Sequence, residues 1–123
     1  MTEIYGYRVA CDLLSLPDPA TAFLVSSMIT ALGVRRAVQD AGLIIGRDVS
    51  IITHDDDLSY LKNGDQVPIF TATRSCVRDA GRECAAMLLE IIRHPANAPL
   101  TKLLEVDLVV GSSTGPVPVP VRQ

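Results

Sequence analysis

The chain has 123 residues, 48% of them hydrophobic and 20% charged, with a formal net charge of −3. That length supports one domain with its own core, and the composition is that of a globular protein rather than a disordered one. The 11 Lys and Arg are outnumbered by 14 Asp and Glu, and Arg35-Arg36 is the only adjacent basic pair, which argues against direct nucleic-acid binding by this piece.

In chain order, Ile4, Tyr7, Cys11 and Leu14 recur near helical spacing over residues 3–15, with Thr2 as the N-cap and Pro17-Asp18-Pro19 as the stop. The apolar run Thr21-Ala-Phe-Leu-Val25 predicts a buried strand. Ser26-Ser27 offer caps for a second helix to about Ala41, with Ile29, Leu32, Val34 and Val38 apolar and Gly42 just past its end. Residues 43–48 turn through Gly46, and Val49 to Thr53 predicts a second buried strand. Residues 54–67 are polar, contain Asn63-Gly64, and read as a loop.

Ile69 to Ala72 predicts a short strand, and Ser75 is placed to cap the longest helix, 76–93. Val77, Ala80, Cys84, Met87, Leu88, Ile91 and Ile92 make a 3.6-period stripe along it. His94-Pro95 stops that helix, residues 101–110 end in the last strand, and the Pro-rich tail 116–123 is expected to lie extended after a domain spanning 1–115. Strands alternating with helices predict an α/β fold with a mainly parallel sheet and flanking helices. Ligands of such sheets bind at the carboxyl ends of strands, which points to Ser26-Ser27 and to His54–Asp57.

The three cysteines, Cys11, Cys76 and Cys84, are an odd count. Cys76 and Cys84 lie eight residues apart on one predicted helix, about 12 Å along its axis, too far for a bridge. They read as small apolar fillers in a reducing, cytoplasmic setting. No export signal and no run long enough to span a bilayer is visible. His54 and His94 are the only histidines and no paired-Cys motif accompanies them, so neither a metal nor another cofactor is expected.

Four segments in order carry a resemblance: Pro19-Ala-Thr-Ala-Phe-Leu-Val-Ser-Ser-Met-Ile-Thr-Ala-Leu-Gly33, Ala41-Gly-Leu-Ile-Ile-Gly-Arg-Asp-Val-Ser-Ile-Ile-Thr-His-Asp-Asp56, Pro68-Ile-Phe-Thr-Ala-Thr-Arg74 with Gly81 in the following helix, and Leu108-Val-Val-Gly-Ser-Ser-Thr-Gly115. Together they cover nearly the whole chain, which is similar to the lactose-repressor (LacI/GalR) family of bacterial transcription regulators. The resemblance implies part of a type I periplasmic-binding-protein-like lobe. It also implies a small effector of sugar or nucleoside class bound between two lobes, a homodimer, and DNA contacted only through a helix-turn-helix domain absent from this piece. Relative to the family pattern, the chain holds roughly the last third and lacks most of the first lobe and the opening strand and helix of the second. In the family the helix matching 76–93 packs in the first lobe. Its seven apolar side chains represent roughly 10–20 kcal/mol of gross burial, so cover from a second copy of the chain is expected.

The resemblance also assigns roles. Ser27 stands where the family usually has an effector-binding Asn, with Met28 in place of the following Asp; for Ser27, helix capping is an equal alternative. Asp55 matches an aspartate that accepts bonds from effector hydroxyls, the alternative being a solvated run Asp55–Asp57. For Asp56 and Asp57 that bland reading is preferred. His54 stands where the family often has Phe or Tyr, and an ordinary loop histidine is favoured over a pH-sensing or metal role. Ser75 matches a position that reaches the effector across the hinge, with a hinge or cap role for it and for Arg74 as the alternative.

Leu32, Leu61 and Asn63 match the surface that forms the dimer contact, and core packing is the alternative for Leu32. An enzyme is not expected, since there is no Gly-x-Ser-x-Gly elbow and no phosphate loop. A phospho-acceptor receiver domain would need an acidic pair after the first strand, and none follows Val25. A solute-binding protein of the same fold and a ligand-free oligomerisation module remain as alternatives.

Overall fold

The computed structural model describes residues 2–57 and 60–117. The elements run α1 (Glu3–Leu14), β1 (Ala22–Val25), α2 (Met28–Asp40), β2 (Ser50–Asp55), β3 (Thr71–Arg74), α3 (Val77–Arg93), a short 3-10 turn (Pro95–Asn97) and β4 (Asp107–Val109). They form a four-stranded sheet in the order β1-β2-β3-β4. β1, β2 and β3 are parallel, and β4 returns antiparallel to β3, so the expected α/β class with a mainly parallel sheet holds. Of the tail 116–123, residues 118–123 lie outside the described residues.

Helix α1 starts where Thr2 accepts a bond from the Tyr5 N–H at 3.2 Å. Helix α2 starts where the Ser27 hydroxyl accepts from the Thr30 N–H at 3.4 Å. Gly42, at φ +73°, turns the chain out of α2 in a conformation that favours glycine. α2 lies on β1 and β2, and α1 packs on α2. The two helices approach so closely that a Cβ on Gly33 would overlap the Glu3 carbonyl, and one on Gly6 the Thr30 carbonyl. This interface and the inward side of the sheet make the core, around Ala10, Val25, Val34, Val38, Ile51 and Phe70.

Alternation along β2 buries Ile51, Thr53 and Asp55 on the helix side and turns Ile52 and His54 to the other. Among the described residues, no element packs on that other face of the sheet. Leu24 is 88% exposed and Leu108 is exposed too, so the expectation that 21–25 is a buried strand is corrected: β1 is an edge strand, bare on its outer face. Ile4 is likewise exposed, and α1 buries Gly6 and Ala10 instead, with Tyr7, Cys11 and Leu14 partly packed. The strand expected at 69–72 runs 71–74, and that expected within 101–110 is limited to 107–109.

Helix α3 forms as predicted, yet none of its residues is buried and, among the described residues, its only contact with another element is the 3-10 turn that follows it. Among the described residues, nothing covers its apolar stripe. Ser75 does not cap it: Cys76 is the cap position and supplies no side-chain bond.

The segment Gly111–Gly115 has a structural task. The Ile51 N–H donates to the Ser113 carbonyl at 2.8 Å, and the Thr71 N–H donates to the Ser113 hydroxyl at 2.9 Å. That hydroxyl in turn donates to the Ile51 carbonyl. Ser113 thereby ties the start of β2 to the start of β3, at the end of the sheet opposite the carboxyl ends.

Candidate functional site

The parallel strands β1, β2 and β3 end side by side. The turn after β1 carries Ser27, β2 ends on His54 and Asp55, and β3 ends on Arg74 followed by Ser75. Ser27, Met28, His54, Asp55, Asp56 and Leu61 line one small cleft of about 280 Å³, open to solvent. A second, more polar cleft of about 490 Å³ lies beside it, lined by Asp55, Asp57, Lys62, Asn63 and Arg74. Asp55 and Leu61 belong to both, so Asp55 stands at the partition.

Asp55 is only 3% exposed. Burying a carboxylate is costly unless it is paired and hydrogen-bonded, and Asp55 is both. The Arg74 Nε donates to its Oδ2 at 3.2 Å, and the Asp57 N–H donates to its Oδ1 at 3.0 Å. The strand register fixes the first contact, because Asp55 and Arg74 are neighbours across β2 and β3. The second closes an Asx turn that holds Asp57 at φ +54°. The bland reading of Asp55 as a solvated loop residue is therefore corrected: it is a buried strand-end carboxylate that shapes the turn after it.

Ser27 fills the capping role and also lines the cleft; its hydroxyl is bonded to the Thr30 Oγ1 at 3.0 Å. Met28, 6% exposed, presents thioether surface there in place of a carboxylate. Ser75 is one step removed. Its hydroxyl bonds the His54 Nε2 at 3.0 Å, and its N–H donates to the Asp55 carbonyl at 3.1 Å. His54 is also held through Nδ1 by the Thr73 Oγ1 at 2.8 Å, and its Nε2 lies 3.2 Å from the Asp56 Oδ1.

Ser75, His54 and Asp56 do not form a proton relay. A relay needs nucleophile and acid on opposite ring nitrogens, whereas here both sit at Nε2. Among the described residues, no group of three His, Cys, Asp or Glu is arranged to hold a metal, and no helix is long and apolar enough to cross a membrane.

Of the expected interface residues, Leu32 is half-buried and packs against the core, and Leu61 is half-buried at the cleft. Asn63 is buried. Its amide donates to the Phe70 carbonyl at 2.7 Å and accepts from the Phe70 N–H at 2.8 Å, pairing like a short piece of strand. Arg74 is the residue whose place in the site the sequence reasoning missed; the arginine closing β3 opposite Asp55 was a signal only once the register was known.

A family model for a periplasmic binding protein-like domain matches residues 2–114. The chain belongs to this family. It is 43% identical over 118 residues to the HTH-type transcriptional regulator AglR of Rhizobium meliloti (strain 1021), covering 96% of this chain and 33% of that protein. It is 29% identical to the HTH-type transcriptional repressor CytR of Escherichia coli (strain K12), covering 92% of this chain and 32% of that one.

Among solved structures, a LacI family transcriptional regulator from Enterococcus faecium with bound ribose matches with a TM-score of 0.71 at 28% identity, over 95% of this chain and 42% of that one. The lac repressor dimer bound to operator and an anti-inducer matches with a TM-score of 0.76 at 26% identity, over 94% of this chain and 39% of that one. The resemblance to the LacI/GalR effector-binding domain is thus confirmed. The chain spans about a third of the length of the curated relatives it matches, 33% of AglR and 32% of CytR.

Proposed function

We propose that this chain is the effector-sensing and dimerising part of a bacterial, cytoplasmic transcription regulator. In this reading a sugar or nucleoside seats at the strand ends, and DNA is contacted only by a helix-turn-helix domain of a longer parent protein. The observation that carries the reading is the convergence of Ser27 and Asp55 on one cleft at the carboxyl ends of parallel strands, the place where such sheets bind ligands. Asp55 accepts bonds from effector hydroxyls, Ser27 contributes a hydroxyl, and Ser75 acts at the hinge through His54. Leu32 and Leu61 contribute side chains to a homodimer contact. Asn63, with its amide engaged by Phe70, supports that contact by fixing the loop that presents Leu61.

The test is thermal denaturation of the intact parent protein against neutral sugars and nucleosides. A ligand at 100 times its dissociation constant is expected to add about 2.7 kcal/mol of stability. Asp55→Ala is expected to weaken that binding by about 1.5–3 kcal/mol, the scale of a hydrogen bond to a charged group. Binding that is the same in the Asp55→Ala variant would contradict the assignment.

A further inference from the structure

Resting on the effector-site reading above, we infer that His54 is the positioning residue through which an occupied cleft fixes helix α3 relative to the sheet. Among the described residues α3 touches no strand. It is joined to the sheet by the short link Ser75-Cys76 after β3 and by the longer connection before β4. Residues 54–56 grip the short link and the start of α3 with three bonds. The Ser75 N–H donates to the Asp55 carbonyl at 3.1 Å, the Val77 N–H donates to the Asp56 carbonyl at 3.5 Å, and the Ser75 Oγ bonds the His54 Nε2 at 3.0 Å. The same three residues, His54, Asp55 and Asp56, line the cleft.

Two of these grips are backbone bonds that a ligand leaves in place. The third runs through a side chain and is contested. His54 and Thr73 are neighbours across β2 and β3, and the Thr73 Oγ1 holds Nδ1 at 2.8 Å, which fixes the ring with Nε2 toward the link. Nε2 also lies 3.2 Å from the Asp56 Oδ1. An ionised carboxylate only accepts hydrogen bonds, so Nε2 carries a proton, and that proton faces two acceptors, Asp56 and Ser75. The charged one takes the larger share. The Asp56 side chain is 43% exposed on the cleft, within reach of an effector hydroxyl. A hydroxyl donating to Asp56 competes with Nε2 for that carboxylate and leaves the Nε2 N–H to Ser75. The link is then held more firmly, and α3 with it. A phenylalanine in place of His54 could make neither bond.

The experiment is hydrogen–deuterium exchange at the Ser75 and Val77 amides of the intact parent protein, with the Ile51 amide as the control for a retained fold. Without ligand, His54→Phe is expected to speed exchange at both amides by roughly threefold to tenfold, the scale of one lost hydrogen bond. His54→Gln, whose amide nitrogen stands near the place of Nε2, is expected to restore the wild-type rate. His54→Asn, whose amide reaches only the place of Nδ1, is not. Asp56→Ala removes the competing acceptor and is expected to slow both amides. In the wild type, bound D-ribose, D-glucose or adenosine is expected to slow them in the same way, and in His54→Phe to bind without that slowing. Should His54→Phe also lose protection at Ile51, the Gln and Asn variants carry the test, because a ring that merely fills space would not separate them. Equal rates in those two variants, or faster exchange in Asp56→Ala, overturn this inference and leave the effector-site reading standing. Failure of all three ligands to bind the wild type at millimolar concentration overturns that reading, and the inference with it.

Discussion

Helices α2 and α3 are both amphipathic, and the chain treats them in opposite ways. α2 buries Ala31, Val34, Ala37 and Val38 between the sheet and α1. α3 carries the cleaner apolar stripe and buries nothing; its Leu88, Leu89 and Ile92 face solvent. Periodicity dictates that a helix forms and which side is apolar. Whether that side finds cover depends on chain topology, which here brings α1 and β2 to α2 and only a 3-10 turn to α3.

Substitutions that cut into the α1–α2–sheet half should be the most damaging. Phe70 is 1% exposed at the centre of the core, and Phe70→Ala is expected to cost about 3–5 kcal/mol in urea unfolding. A cost below about 1 kcal/mol would mean that this half is not the stable one. Gly33→Ala comes next. Its Cβ would meet backbone of Glu3 and Tyr7 rather than a flexible side-chain end, so the helices must separate, at about 1–3 kcal/mol or somewhat more.

At the other extreme, Ile92→Ala in dilute, monomeric chain should change stability by no more than about 0.5 kcal/mol. The stripe's expected cover is a second copy. Sedimentation at micromolar concentration should then show association that Leu88→Glu with Ile92→Glu weakens, and strictly monomeric behaviour would contradict that expectation.

The smallest effect is a pH dependence at the α1–α2 seam. The Tyr7 hydroxyl donates to the Asp40 Oδ2 at 3.0 Å. That bond, with a lesser one involving Cys11, holds the phenol above its usual value of 10.0. The fold therefore binds this proton more tightly than the unfolded chain does. The contribution is fully present below the unfolded pKa and is lost as pH rises through the higher folded one. Unfolding midpoints measured from pH 8 to 11 should fall more for the wild type than for Tyr7→Phe.

Much of this was legible in the residues. Thr2 and Ser27 as caps, Gly42 as a terminator and the stripe of α3 are local signals, and each was read correctly. Ser27 and Asp55 were placed at strand ends by the general rule for parallel sheets, and they share a cleft. What escaped depends on relations between distant segments. The pairing of Asp55 with Arg74 is set by strand register. The bare outer face of β1 follows from there being no element packed on that side of the sheet among the described residues, which an apolar run cannot reveal. Asn63 read as turn chemistry because Asn-Gly marks turns, yet its amide pairs with the Phe70 backbone seven positions on. Gly6 and Gly33 carried no periodic signal, and their reason is a helix crossing.

The most direct test of the strand-end cleft is a map of amide chemical shifts in this segment during titration of the intact parent protein with neutral sugars and nucleosides. The structure predicts that perturbations concentrate on Ser27, Met28, Asp55, Asp57, Arg74 and Ser75. Perturbations centred instead on the groove between α1 and β1, around Val9, Leu13 and Phe23, would place the ligand elsewhere and contradict the account.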